Sequence, residues 1–181
     1  MSKKDDFLRI LTAESTYFIG IDNGISGSIG IIEEKLGTVK SAFIATPVIK
    51  CLSYTKEPQH IHRIDWRTLI ENLPRVNAIA LLERPLCNPR AFKATQSALR
   101  ALEATIIVLE TLDIPYSYID SKEWQKEFLS SAVIGHEDMK RASMQVGLEL
   151  FPSNGIFIKR HKDADGLLIA EHLRRRTKCN Q

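Results

Sequence analysis

The sequence predicts an α/β fold: one mixed, five-stranded sheet flanked by helices. Three observations predict it. Residues 17–45 are apolar runs separated by short turns, the pattern of a three-strand antiparallel meander. Residues 77–82, NAIALL, form a largely apolar run that suits a strand buried on both faces. From there the chain alternates strand and helix through 115–119. Helical crossovers of that kind place the first, fourth and fifth strands parallel and adjacent.

The elements follow in order. Residues 1–16 read as a polar lead-in with one helical turn near Phe7–Leu11. Strands are expected over 17–22 and 28–33, with Gly24 and Gly27 in the turn between them. Lys35-Leu36-Gly37-Thr38 marks a hairpin turn, and the third strand spans 38–45. Residues 46–64 carry two prolines, scattered charges and no steady period, so a long loop is expected. Asp65 is placed to cap a helix running to Leu73, with Trp66, Leu69, Ile70 and Leu73 at helical spacing. Pro85 and Pro89 interrupt the chain, and 91–112 follows as a long helix with Ala98, Leu102, Ile106 and Leu109 near one face. Asp120 or Ser121 caps a helix to Phe128. Helices are also expected over 137–150 and 163–176, with a loop at 151–159. The domain spans 17–178, leaving 179–181 as a tail.

Composition narrows the function class. A chain of 181 residues with 44% apolar content supports one domain with a substantial core. A net charge of +3 permits a nucleic-acid partner without arguing for one. No apolar run approaches the ~20 residues of a membrane helix, and the charged N-terminus lacks a signal-peptide apolar core. The three cysteines, 51, 87 and 179, form no CxxC pair, as expected of reduced thiols in a cytoplasm. His60-Ile61-His62 lacks the second ligand pair of a zinc site. Trp66 and Trp124, at helical positions with apolar neighbours, read as core.

The chemistry lies in the acids. Asp22 ends the first strand and Glu83 the fourth. On parallel neighbours ~4.8 Å apart, both carboxylates emerge at the C-terminal edge of the sheet, where open α/β sheets bind ligands. A third acidic group, in Lys159-Arg160-His161-Lys162-Asp163-Ala164-Asp165, opens the last helix. There Asp165 precedes a small and apolar run, GLLIA. His161 stands one helical turn before Asp165 if the helix starts early; Asp163 is alternatively its cap. Each acid alone fits turn or cap chemistry. Together they form a set for hard cations, Mg²⁺ or Mn²⁺. Two such ions ~4 Å apart serve phosphodiester hydrolysis.

Four stretches then carry a resemblance: IGIDNGISGSIGII (19–32), AIALLERP (78–85), YIDSKEWQKEF (118–128) and KDADGLLIAEHL (162–173). In this order and spacing the chain resembles the RuvC-type Holliday-junction resolvases of the RNase H-like superfamily, especially their compact phage and viral members. The resemblance implies an RNase H-like fold and a homodimeric endonuclease in a bacterial or phage-infected cytoplasm. It implies cleavage of Holliday junctions or other branched DNA by a metal-activated water, with Mg²⁺ replaceable by Mn²⁺ and two ions per site. Asp22, Glu83 and Asp165 match the family's acids. The family's further ligand precedes the last acid by about one turn; here Lys162 stands three before Asp165, which leaves His161 or Asp163 to supply it. Lys126 matches a catalytic lysine near the scissile phosphate and Lys140 a lysine near the DNA. Leu86 falls where some relatives carry a junction wedge, and the long helix corresponds to one that helps form the dimer.

Basic residues flank both acid positions. Lys159, Arg160 and Lys162 lead into Asp163, and Arg84, Arg90 and Lys93 follow Glu83; all are candidates for phosphate contact. Arg174-Arg175-Arg176 and Lys178 form a further cluster. Two competing readings remain. IGIDNGISGSIG also resembles the phosphate-binding hairpin of actin-type ATPases, although those need two such domains. A non-catalytic binder of branched DNA would use the same fold.

Overall fold

A five-stranded mixed sheet forms the middle of the structure, a computed structural model that describes residues 15–53, 56 and 58–179. Its strands are β1 (Ser15–Ile21), β2 (Ser28–Lys35), β3 (Thr38–Ala45), β6 (Ala78–Glu83) and β7 (Tyr116–Ile119), in the order β3-β2-β1-β6-β7. A separate hairpin pairs β4 (Val48–Leu52) with β5 (His60–Ile64). The helices are α1 (Trp66–Asn72), α2 (Phe92–Thr111), α3 (Ser121–Phe128), α4 (His136–Leu150), α5 (Gly155–His161) and α6 (Asp165–Cys179).

The expected meander is present. β2 pairs antiparallel with both β1 and β3. The β2–β3 turn holds Leu36 and Gly37 at φ 48° and 80°, the left-handed pair that matches strand twist in a two-residue hairpin. β6 lies parallel to β1 and to β7, as the strand–helix alternation predicts. Alternation of side chains along the strands divides the core into two layers. Phe18, Ile79 and Leu81 face Trp124, Ile158 and the apolar run of α6. Ile19, Ala80 and Leu82 face Leu69 of α1 and Ala101, Val108 and Leu109 of α2. Full burial of each large side chain contributes about 1.5–3 kcal/mol.

Helix α6 lies against β1 and β2 at backbone contact. A Cβ on Gly20 would stand 2.1 Å from the Ala170 nitrogen, and one on Gly30 2.4 Å from the Leu167 Cα. Glycine at these two sheet positions is therefore what brings the head of α6 onto the strand ends.

The structure differs from expectation in five places. Trp124 is buried as expected, but Trp66, read as core, is 46% exposed: it opens α1 on the solvent side, with the Arg67 guanidinium 4.4 Å over its ring. β1 takes in Ser15 and Thr16, which the sequence assigns to the lead-in; the helical turn expected near Phe7–Leu11 lies outside the described residues. The expected 46–64 loop contains the β4–β5 hairpin, whose partners Val48 and Ile64 close it next to the Asp65 cap. The expected loop at 151–159 is a 3-10 turn, Pro152–Asn154, followed by α5. Helix α6 begins at Asp165 rather than Asp163, because Lys162 ends α5 in a left-handed conformation at φ 75°. Among the described residues, no helix is long and apolar enough to cross a membrane.

Candidate metal centre

The last register pair between β1 and β6 is Ile21 with Leu82. Asp22 and Glu83 stand one residue further on, side by side at the C-terminal edge. The turn after Asp22 is closed by a hydrogen bond from the Asp22 N–H to the Ser28 carbonyl, 3.0 Å. Gly27 is packed beneath Asp22, where a Cβ would meet the Asp22 carbonyl oxygen at 2.1 Å. On the other side, Ser28 Oγ accepts from the Gly166 N–H at 3.1 Å, which ties the head of α6 to the start of β2.

That tie brings the 163–165 segment onto Asp22. Oxygens of Asp22, Asp163 and Asp165 lie within 4.8 Å of one another. Asp163 is fully buried, and Asp22 and Asp165 are partly so. Asp163 Oδ1 is buried without a hydrogen-bond partner. Three converging carboxylates and an unpartnered buried oxygen are a donor set suited to a hard divalent cation. Glu83 and His161 fall outside this tight group.

The surroundings orient each acid. Glu83 Oε2 accepts from the Trp124 indole N–H at 2.7 Å. Ser143 Oγ donates to Asp165 and accepts from the Ala164 N–H. Lys140 Nζ stands 3.5 Å from Asp163 Oδ2. His161 Nε2 is 3.4 Å from Asp163 Oδ1 but makes no hydrogen bond, and its ring packs edge-on against Phe43.

Burial, with repulsion between Asp22, Asp163 and Asp165, raises the protonation equilibria of the site. Burial, then the charges of Asp165, Glu83 and Asp163, push the Asp22 carboxyl well above the usual range. Asp165 is raised to about 7, by burial first and the neighbouring Asp163 next. Glu83 is raised by burial, with the Trp124 hydrogen bond opposing the shift. Carboxyls held up in this way mark a site that gains from a cation.

The other sequence candidates are distributed differently. Lys126 is exposed on α3, two residues and roughly 200° around the helix from buried Trp124; it pairs with no acid among the described residues. Lys162 is exposed at the end of α5, behind Lys159 and Arg160, which are also exposed. Arg84 pairs with Asp120 at 3.0 Å and lies over the Tyr118 ring. Arg90 and Lys93 are exposed around the start of α2, and Leu86 is 86% exposed just past Glu83. Most of the C-terminal cluster is engaged in ion pairs: Arg174 binds Glu171 and Glu34, Arg175 binds Glu171 and Glu127, and Lys178 binds Glu34, while Arg176 is exposed.

Sequence reasoning missed Ser143 and the polar role of Trp124. A serine inside a helix and an indole among apolar neighbours carry no local mark of a distant carboxylate partner. The spacing of Lys140 and Ser143 on one helix face was the only available signal.

A mixed sheet in this order, with acids at the ends of β1 and β6 and at the head of the last helix, is an RNase H-like fold. The expected fold class is borne out by a solved structure. The chain is similar to Thermus thermophilus RuvC in complex with a Holliday-junction substrate, with a TM-score of 0.50 and 14% identity over 87% of this chain and 91% of that one. A second Thermus thermophilus RuvC structure gives 0.44 and 17% identity, over 86% and 91%. No family model matches the sequence, and neither does any curated protein sequence.

Proposed function

We propose that this protein is a divalent-metal-dependent endonuclease that resolves Holliday junctions or other branched DNA. The observation that carries the reading is the convergence of Asp22, Asp163 and Asp165, with Glu83 beside them, at the parallel edge of an RNase H-like sheet. Similarity to the fold of a junction-bound RuvC supports the choice of substrate. Asp22, Asp163 and Asp165 would hold one Mg²⁺ or Mn²⁺, and Glu83 with Asp22 a second. Bound there, the metal supplies an activated water and charge stabilisation at the phosphate.

The chain's own residues orient this chemistry. Trp124 holds Glu83, and Ser143 holds Asp165. Asp163 supplies the further ligand that the sequence leaves between it and His161. Lys159, Arg160 and Lys162 on one side, with Arg84, Arg90 and Lys93 on the other, contact phosphates and position the DNA without reading bases. Lys126, exposed and without an acid partner among the described residues, serves the DNA rather than the clustered acids. Exposed Phe92, Leu99 and Ile107 on α2 support a homodimer through that helix, so that two sites act on one junction.

The experiment is Mg²⁺-dependent cleavage of a four-way junction compared with linear duplex. The expected result is selective nicking of the junction, abolished by EDTA and by Asp22→Asn, with junction binding retained by the variant. Asp22→Asn cutting at the wild-type rate would refute the site. Binding without any cleavage by the wild type would favour a non-catalytic junction binder.

A further inference from the structure

One stripe of α4 grips the segment that carries two of the clustered acids. Lys140, Ser143 and Gly147 share a helix face. Ser143 clamps Asp165 and the Ala164 N–H. At Gly147 a Cβ would stand 2.2 Å from the Ala164 Cβ, so only a bare backbone lets the segment lie there. Lys140 completes the stripe with its ammonium 3.5 Å from Asp163 Oδ2. Among the described residues it is the one lysine or arginine ion-paired with Asp22, Asp163 or Asp165. Asp163 is only 1% exposed, and its second oxygen has no hydrogen-bond partner. A buried, half-satisfied carboxylate of this kind is costly unless a cation neutralises it.

We propose that Lys140 is the counter-ion of the metal-free site, and that its ammonium and a divalent cation are alternative occupants of the same carboxylates. The inference rests on reading the acid cluster as a metal centre, and it gives Lys140 a role beyond contact with DNA. Ammonium and divalent ion repel each other at a separation of a few ångströms. The lysine therefore gives up Asp163 as the ion enters. Its side chain is 34% exposed and ends a flexible four-carbon stem, so it swings out at little cost. With the ion absent, it holds Asp163 against α4; with the ion present, it is released towards solvent, where a DNA phosphate meets it. The metal affinity of the free protein is then set by competition with Lys140.

The test is Mn²⁺ binding to the full chain, without DNA, by titration calorimetry. Lys140→Met keeps the aliphatic stem and removes the charge. It is expected to bind Mn²⁺ about tenfold more tightly than wild type, the scale of one partly solvated charge interaction. Its thermal stability should be lower than wild type in EDTA and equal at saturating Mn²⁺. Lys140→Gln repeats the charge loss with a polar head and is expected to behave alike. Lys50→Met, on the β4–β5 hairpin, controls for overall charge and should leave Mn²⁺ affinity unchanged. If both Lys140 variants bind Mn²⁺ no more tightly than wild type, the competition is refuted while the metal centre stands. If wild type binds no Mn²⁺, the metal centre fails and the competition with it.

Discussion

Asp165→Asn isolates the electrostatic strain of the acid cluster. The substitution is nearly isosteric, keeps an oxygen for Ser143 and removes a charge. In the folded protein the Asp165 carboxyl is raised from 3.8 to about 7, by burial and by Asp163. It therefore binds its proton more tightly folded than unfolded. Its favourable contribution is complete below about pH 4 and is lost as pH rises through about 7. A shift of about 3 units has a ceiling of about 4 kcal/mol. Asp165 is partly exposed and Lys140 lies near, so about 2 kcal/mol is expected after screening. In a chain of this size that is about 4–8 °C in Tm. The assay is thermal unfolding of wild type and variant in EDTA across about pH 4–8. The two should coincide at the acid end, and the variant should be the more stable at the alkaline end. Asp22 is raised partly by Asp165, so relieving it acts in the same direction. Saturating Mg²⁺ should reverse the order, because the variant has lost a ligand. An Asp165→Asn protein less stable than wild type near pH 8 in EDTA would refute the account of mutual repulsion.

Four further outcomes follow from the packing, the ion pairs and the exposed basic residues. Gly20→Ala places a Cβ 2.1 Å from the Ala170 nitrogen and must push α6 off the sheet, costing about 3 kcal/mol or more in urea unfolding. Trp124→Phe keeps the ring in the core but takes the donor from Glu83. It should cost about 1–2 kcal/mol in stability and slow junction cleavage while junction affinity holds. Arg174→Ala removes a partner from nearly buried Glu171 and should cost about 2 kcal/mol without weakening junction binding. Lys159→Ala should do the opposite, leaving stability within about 0.5 kcal/mol and reducing the salt slope of junction binding by about 1.

Much of the fold was legible because the signals are local. The meander is written in apolar runs and in Leu36-Gly37, and the Asp65 cap in a polar residue before an apolar helix face. The β4–β5 hairpin was not legible. Its strands carry Lys50, His60, His62 and Arg63, are mostly exposed, and draw their order from pairing with each other rather than from a buried face. Helix α5 was hidden for a related reason: Pro152, Asn154 and Gly155 read as loop chemistry, yet Asn154 is buried and its amide bonds Ser41 of β3.

By itself the sequence determined the α/β class and the two acids at the strand ends. Strand direction follows from connection length, and a residue that ends a parallel strand lies at a known edge whatever surrounds it. Only the tertiary structure shows that Asp163, and not His161, stands in the tight group with Asp22 and Asp165. The left-handed Lys162 breaks the chain between α5 and α6, so Asp163 turns into the cluster while His161 packs on Phe43. It likewise separated the basic residues, pairing Arg174 and Arg175 with Glu171 and bringing Lys140 to Asp163. Charge and spacing are properties of a segment. Which carboxylate meets which cation depends on how glycine-faced strands seat α6, a contact between residues more than a hundred positions apart.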